Sequence, residues 1–337
     1  MDIIKNNFAA IEGTEGNDTL RGYDNGYNYK MSEVYYAGGG NDTVNAGAGD
    51  DIIYGETGND AIYGGDGADV IIGGAGNDVL NGGNGADTYI FNIGDGTDNI
   101  DNYDINGWRS DKILFGEGIL PEDIRLTRSG NDMIITNTRS EGDVITLSNA
   151  FKSSYGYYFI GSIEFADGTV WDLEIMKAKC NTIYGTEEDD TLNGYGSGYN
   201  YQTSEVFYGG AGDDTINGGS GNDILVGGRG NDVLNGGSDA DTYVFNIGDG
   251  TDTINNYDTG SWRRDKILFG EGISEEDIIL TRSGYDMIIT NTRSEGDVIT
   301  LFNAFKSSYG YYFIGSIEFE DGTVWDYTYM KEIVSIS

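Results

Sequence analysis

Aspartates recur at an interval of nine: Asp42, Asp51, Asp60, Asp69, Asp78 and Asp87. Two residues after each stands an apolar side chain, in turn Val44, Ile53, Ile62, Ile71, Leu80 and Tyr89. Glycine-rich hexapeptides such as GGDGAD and GGAGND lead into them. The register reaches back to Asp18 with Leu20, and residues 22–36 form one further repeat with an enlarged turn, in which Glu33 takes the acidic position and Tyr35 the apolar one. A second run follows at Asp190, Glu205, Asp214, Asp223, Asp232 and Asp241. One Gly-Asn-Asp is an ordinary turn. Many in register form an array of oxygen ligands. Carboxylates combined with turn carbonyls suit calcium, which accepts six to eight oxygens at flexible geometry; magnesium demands a tighter octahedron and keeps its waters. With no His and a single Cys, zinc and copper sites are disfavoured.

The element that positions these carboxylates is not a helix. Glycine recurs too often, and an apolar spacing of nine matches no helical stripe. Each nonapeptide reads as a tight turn, with glycines where φ must be positive, followed by a three-residue strand with one inward side chain. Two repeats close one coil, so carboxylates eighteen residues apart become neighbours. The pairs are Asp42 with Asp60, Asp51 with Asp69, Asp60 with Asp78, Asp69 with Asp87, Asp214 with Asp232 and Asp223 with Asp241. The enlarged turns add Asp18 with Asp42, Glu33 with Asp51, Asp190 with Asp214 and Glu205 with Asp223. About six to ten ions are therefore expected, one per pair. Ten divalent ions would supply +20 against the formal charge of −38, leaving −18. The ion-free chain should fold poorly against its own repulsion.

The chain is also duplicated. Residues 88–172 and 242–326 differ at thirteen positions, and the offset between copies falls from 172 at Asp18/Asp190 to 154 at Asp87/Asp241, a loss of two repeats. The expected organisation is a lead-in (1–12), a first roll (13–90), a first closing block (91–176), a linker (177–184), a second roll (185–244), a second block (245–330) and a tail (331–337). The fold class is all-β: two tandem parallel β-rolls, a β-solenoid, each followed by a capping domain of short strands such as KILF, DMIITN and DVITL. Only PEDI suggests a helical turn.

Composition narrows the function. Fifty-seven acidic against nineteen basic residues leave no basic stripe for nucleic acid. No apolar run approaches the ~20 residues of a membrane span, and the N-terminus has no stretch of signal-peptide length. The lone Cys180 excludes an internal disulfide and reads as an inert linker residue. Without His there is no Ser-His or Cys-His pair, and no GxSxG elbow occurs; no catalytic residue is assigned and the chain is not expected to be an enzyme.

The repeats over 13–90 and 185–244 resemble the GGxGxDxUx nonapeptides of the RTX family, with departures at Ala37, Ala46, Glu56, Glu33 and Glu205. The blocks after them resemble the haemolysin-type calcium-binding-related domain, through DKILF, IRLTRSGNDMII and IEFADGTVWD. The resemblance implies a parallel β-roll in which each aspartate bridges calcium ions. It further implies secretion by a type I apparatus through an uncleaved C-terminal signal, for which YTYMKEIVSIS is the candidate, and kinship with secreted bacterial toxins, adhesins or exoenzymes. A polysaccharide or host-surface glycan is a second expected partner. Its surface would comprise Trp108, Arg109, Tyr155 and Tyr157, repeated as Trp262, Arg263, Tyr309 and Tyr311, since rings stack on sugar faces and Arg pairs with carboxylates.

Overall fold

A computed structural model describes residues 9–22, 31–103, 110–152, 158–195, 203–257, 264–306 and 312–336. The chain divides into two compact units, 1–180 and 181–337.

In the first unit successive strands alternate between two sheets. One sheet runs Ala9–Glu12, Glu33–Tyr36, Ile52–Tyr54, Val70–Ile72, Thr88–Phe91, Lys112–Phe115 and Ser162–Glu164, all parallel, and ends in antiparallel Val170–Asp172. The other runs Thr19–Arg21, Thr43–Ala48, Ala61–Asp66, Val79–Asn84, Thr97–Ile100 and Val144–Leu147, then continues antiparallel through Asp132–Asn137 and Ile124–Ser129. This is the expected parallel solenoid. The second unit repeats it with one strand fewer in each sheet, seven against eight, as the loss of two repeats requires.

Register explains the nine-residue spacing of apolar residues. Tyr35, Ile53, Ile71, Tyr89, Ile113 and Ile163 face one another in one column, and Leu20, Val44, Ile62, Leu80, Ile100 and Leu147 in the other. All are buried. Burying such a side chain is worth ~1.5–3 kcal/mol, and a coil supplies only two of them, so each coil depends heavily on its turns. Beyond the repeats the core widens with Phe91, Phe115, Phe159, Phe165, Trp171, Met133 and Ile135.

Two helices, Leu173–Cys180 and Tyr327–Ile336, were not expected; PEDI supplies only the short 3-10 turn Pro121–Asp123. Each helix begins at an aspartate whose carboxylate accepts a backbone N–H: Asp172 from Ile175 (3.0 Å) and Asp326 from Tyr329 (2.8 Å). This is N-capping. The first helix packs on Ile124–Ser129 and Val170–Asp172 and buries Met176 and Cys180. Residues 177–180 are thus part of the first unit, and burial pushes the Cys180 thiol up to about 12. The second helix buries Met330 and Val334, so the expected export tail is tied to the second core through these two side chains.

Candidate metal centre

The glycine-rich turns stack along the two edges of each roll. In every turn the backbone N–H of the repeat aspartate donates to Oδ1 of the aspartate two repeats later. Asp42 donates to Asp60 (2.8 Å), Asp51 to Asp69 (2.8 Å), Asp60 to Asp78 (2.8 Å) and Asp69 to Asp87 (2.9 Å). Asp214 donates to Asp232 (2.8 Å) and Asp223 to Asp241 (3.0 Å). The enlarged-turn pairs follow suit: Asp18 to Asp42, Glu33 to Asp51, Asp190 to Asp214 and Glu205 to Asp223, at 2.7–2.8 Å. The structure therefore brings together all ten pairs read from the spacing.

That bond occupies one carboxylate oxygen. The other, Oδ2 of Asp42, Asp51, Asp60, Asp69, Asp78, Asp214 and Asp232, is buried with no hydrogen-bond donor. Each of these residues is at most 2% exposed. A buried carboxylate oxygen without a partner is costly, and a charge in that state is paired, bound to a metal or protonated. Burial accordingly raises the Asp51, Asp60 and Asp232 carboxyls to about 6, and Asp69 and Asp78 to about 7. Asp214 moves upward as well, and so does Asp223, where burial outweighs its hydrogen bonds with Glu205.

The surroundings fit a hard cation. A Cβ added at the first glycine of a turn, Gly64, Gly73 or Gly227, would overlap Oδ2 of Asp69, Asp78 or Asp232. At the fourth position, Gly58 (φ 129°) and Gly67 (φ 149°) lie directly over the carbonyl oxygens of Gly40 and Gly49 in the preceding coil. The turns thus offer carboxylate and carbonyl oxygens on one edge and no nitrogen or sulfur, the donor set of calcium. Among the described residues no three carboxylates or thiols converge on one point. An ion here must combine two aspartates with backbone carbonyls. Two departures from the glycine pattern carry strain: Glu56 (φ 72°) and Asp239 (φ 84°) hold left-handed backbone.

Sequence reasoning missed how the ladders continue and end. Asp78 donates to Asp98 Oδ1 (2.9 Å) and Asp87 to Asp111 Oδ1 (2.8 Å); Asp232 and Asp241 do the same to Asp252 and Asp265 at 3.0 Å. The signal was present in Gly94–Asp98, GDGTD, but the spacing of twenty broke the register. At the ends, donors appear. Asp18 Oδ2 accepts the Thr14 N–H (2.6 Å) and hydroxyl (2.8 Å), and Asp190 accepts the same pair from Thr186. Asp111 Oδ2 accepts Asn102 Nδ2 (2.8 Å), whose own Oδ1 accepts the buried Tyr89 hydroxyl (2.8 Å). Asp265, Asn256 and Tyr243 repeat this plug at 2.9 and 2.7 Å. Glu33 differs from its counterpart, because the Tyr35 hydroxyl lies 3.1 Å from Glu33 Oε2 and position 207 is Phe.

A second, exposed ladder runs the other way. Asn17, Asn41, Asn59 and Asn77 accept, through Oδ1, the N–H of Asn41, Asn59, Asn77 and Thr97 at 2.8–3.2 Å. The Asn before each Asp on that edge therefore has its own structural task.

The expected glycan residues Trp108, Arg109, Tyr155, Tyr157, Trp262, Arg263, Tyr309 and Tyr311 lie outside the described residues.

Comparison with known proteins accords with this geometry. A model of the RTX calcium-binding nonapeptide repeat matches residues 10–25, 36–71, 63–100, 181–197 and 208–243. The haemolysin-type calcium binding protein related domain matches 132–174 and 286–329. The iron-regulated protein FrpA of Neisseria meningitidis serogroup C is 33% identical over 126 residues, which is 37% of this chain but only 11% of that protein. Among solved structures, the extracellular lipase LipA of Serratia marcescens aligns over 80% of this chain and 40% of its own at 18% identity, with a TM-score of 0.29.

Proposed function

Because the chain belongs to the RTX calcium-binding nonapeptide repeat family, we propose that its two rolls fold when calcium binds between successive turns, and that it does so outside the cell after type I secretion. The observation that carries this reading is the row of buried Asp Oδ2 atoms without donors, from Asp42 to Asp78 and again at Asp214 and Asp232. The residues that would hold the ions are those read from the spacing other than Asp18 and Asp190, whose Oδ2 atoms already accept Thr14 and Thr186, together with the turn carbonyls. The ion supplies positive charge at that edge. The chain's own contribution is to place carboxylates and carbonyls at one spacing and to keep other donors away.

Ions that bind only the folded chain stabilise it by RT ln(1 + [L]/Kd) per site. Extracellular-type sites have dissociation constants of ~10⁻⁴ to 10⁻³ M, so the chain would stay loose at resting cytosolic calcium and fold after export. Its place is within a secreted toxin, adhesin or exoenzyme, and no catalytic role is assigned to it. Equilibrium dialysis against calcium at millimolar concentration tests the reading. Six to ten ions per chain, undisplaced by equal magnesium, is the expected result; none bound, or magnesium bound equally, contradicts it.

A second reading, recognition of an acidic polysaccharide, rests on one feature present in both units. Lys152 Nζ lies 5.5 Å above the Tyr158 ring, which packs 5.0 Å from exposed Tyr103. Lys306, Tyr312 and Tyr257 repeat it at 5.6 and 5.0 Å. Affinity electrophoresis of calcium-loaded protein through polyuronate and through neutral glucan tests this; retardation by neither removes it.

A further inference from the structure

The outward positions of the two rolls carry a regularity of their own. Side chains beside an inward strand residue face out, and in each roll two such residues are tyrosines opposite one another in the parallel register: Tyr36 with Tyr54, and Tyr184 with Tyr208. Their rings stack. The centroids lie 5.1 Å apart with planes 2° from parallel in the first pair, and 5.4 Å apart at 12° in the second. The backbone sets that spacing, because neighbouring strands lie ~4.8 Å apart. The first pair is half-buried, and Tyr184 and Tyr208 are 53% and 43% exposed.

The rolls reach this arrangement with different residues. Tyr36 and Tyr208 hold the same place in the duplication, but the coil before Tyr36 carries Glu12 and the coil after Tyr208 carries Val226. One tyrosine therefore takes its partner from the following coil and the other from the preceding coil. An aromatic pair across strands stabilises a sheet by itself. It also holds two phenols side by side, which makes their coupling effectively unimolecular. Burial, and then the neighbouring Tyr36, push the Tyr54 hydroxyl upward, so this ring is a neutral phenol whose oxidation releases a proton. Cys180, Trp171, Trp325 and Met330, which would compete for an oxidant, are buried.

We infer that Tyr36 with Tyr54, and Tyr184 with Tyr208, are sites of oxidative cross-linking, at which a peroxidase-type one-electron oxidant joins two rings carbon to carbon and fastens neighbouring coils of a roll. Each ring gives up one electron and one proton, and the two phenoxyl radicals join through carbons beside their hydroxyls. The hydrogens on those carbons move to the oxygens as the rings become aromatic again. The pair has then lost two hydrogen atoms, and one hydrogen peroxide accepts them to become two waters. The link constrains the unfolded chain as a disulfide does and persists when calcium is withdrawn. Only its timing rests on the calcium reading: the roll must be folded for the rings to meet.

The test adds peroxidase and hydrogen peroxide to the full chain, calcium-saturated or chelated, at low concentration so that coupling between molecules stays slow. Mass spectrometry of proteolytic peptides should find 36 joined to 54 and 184 to 208, two hydrogen masses lighter, with about tenfold higher yield in calcium than in chelator. Tyr63, 42% exposed between Asn45 and Asn81 on the other sheet, should join no tyrosine of its own chain. Tyr36→Phe should abolish the first link and leave the second. The cross-linked chain should reach its dichroism midpoint at about two- to threefold lower calcium. Absence of either link from calcium-folded protein overturns the inference for that roll, and equal yield from an unfolded chelated chain, or Tyr63 joined as often, overturns it for both. A chain already folded in chelator refutes the repeat reading instead; the links are then scored in that folded chain, where their absence still overturns the inference.

Discussion

Interior and terminal rungs of the ladders use the same aspartate in opposite ways. At Asp60 or Asp69 one carboxylate oxygen holds the neighbouring backbone and the other is buried with no donor. At the ends that second oxygen is supplied with donors: Thr14 for Asp18, and Asn102, itself held by Tyr89, for Asp111. The sequence can place a donor beside this carboxylate, and in the interior it withholds one. Oxygens kept without donors are left for a cation; oxygens given donors close the ladder. Glu33 is intermediate, with the Tyr35 hydroxyl 3.1 Å away.

The comparison breaks most severely at an interior rung. Asp60→Ala removes the acceptor of the Asp42 N–H and a ligand from two adjacent pairs, so the calcium midpoint of folding should rise by more than about tenfold, each tenfold corresponding to ~1.4 kcal/mol. Dichroism-monitored titration reads it. An unchanged midpoint would mean that Asp60 is only a turn residue.

Protons should partly replace calcium. Burial holds the interior carboxyls at about 6 to 7, and Asp252 at about 8, above the unfolded value near 4. The ion-free fold therefore binds protons more tightly than the unfolded chain. Its stability is fully present below pH ~4 and is lost as pH rises through these values. In chelator, β structure should be greater at pH 4.5 than at pH 8, whereas calcium affinity should increase over the same rise. A chelated protein more structured at pH 8 contradicts the assignment.

Terminal rungs should respond differently. Asn102→Ala removes the Nδ2 donor to Asp111 Oδ2 and the acceptor of the Tyr89 hydroxyl, a loss of ~1–3 kcal/mol in urea unfolding of the calcium-saturated protein, with the number of bound ions unchanged. Tyr35→Phe makes the first roll resemble the second at this rung. It should cost about 1 kcal/mol without calcium, and less when calcium is saturating. The smallest effect is on strain: Glu56→Gly should raise stability by ~1 kcal/mol and leave ion binding intact.

Much of this was legible in the residues. Repeats of nine gave the inward columns Val44–Ile62–Leu80 and Ile53–Ile71–Tyr89, and the doubling to eighteen gave the aspartate pairs. What escaped reading depends on contacts that spacing does not encode. Asp98 and Asp111 stand twenty and twenty-four residues from their partners, because the intervening loops grow while the coil geometry stays fixed. Thr14 and Asn102 look like ordinary turn residues until the carboxylate they serve is located. The helices at 173–180 and 327–336 follow strands without a break, and only the capping Asp172 and Asp326 marked their starts.

The central claim is that donor-free aspartate oxygens are calcium sites on which folding depends, and far-UV circular dichroism of the chelated chain during a calcium titration, with magnesium as control, tests it most directly. A steep gain of β signal with calcium alone is predicted. A chain already folded in chelator at neutral pH, and indifferent to calcium, would contradict it.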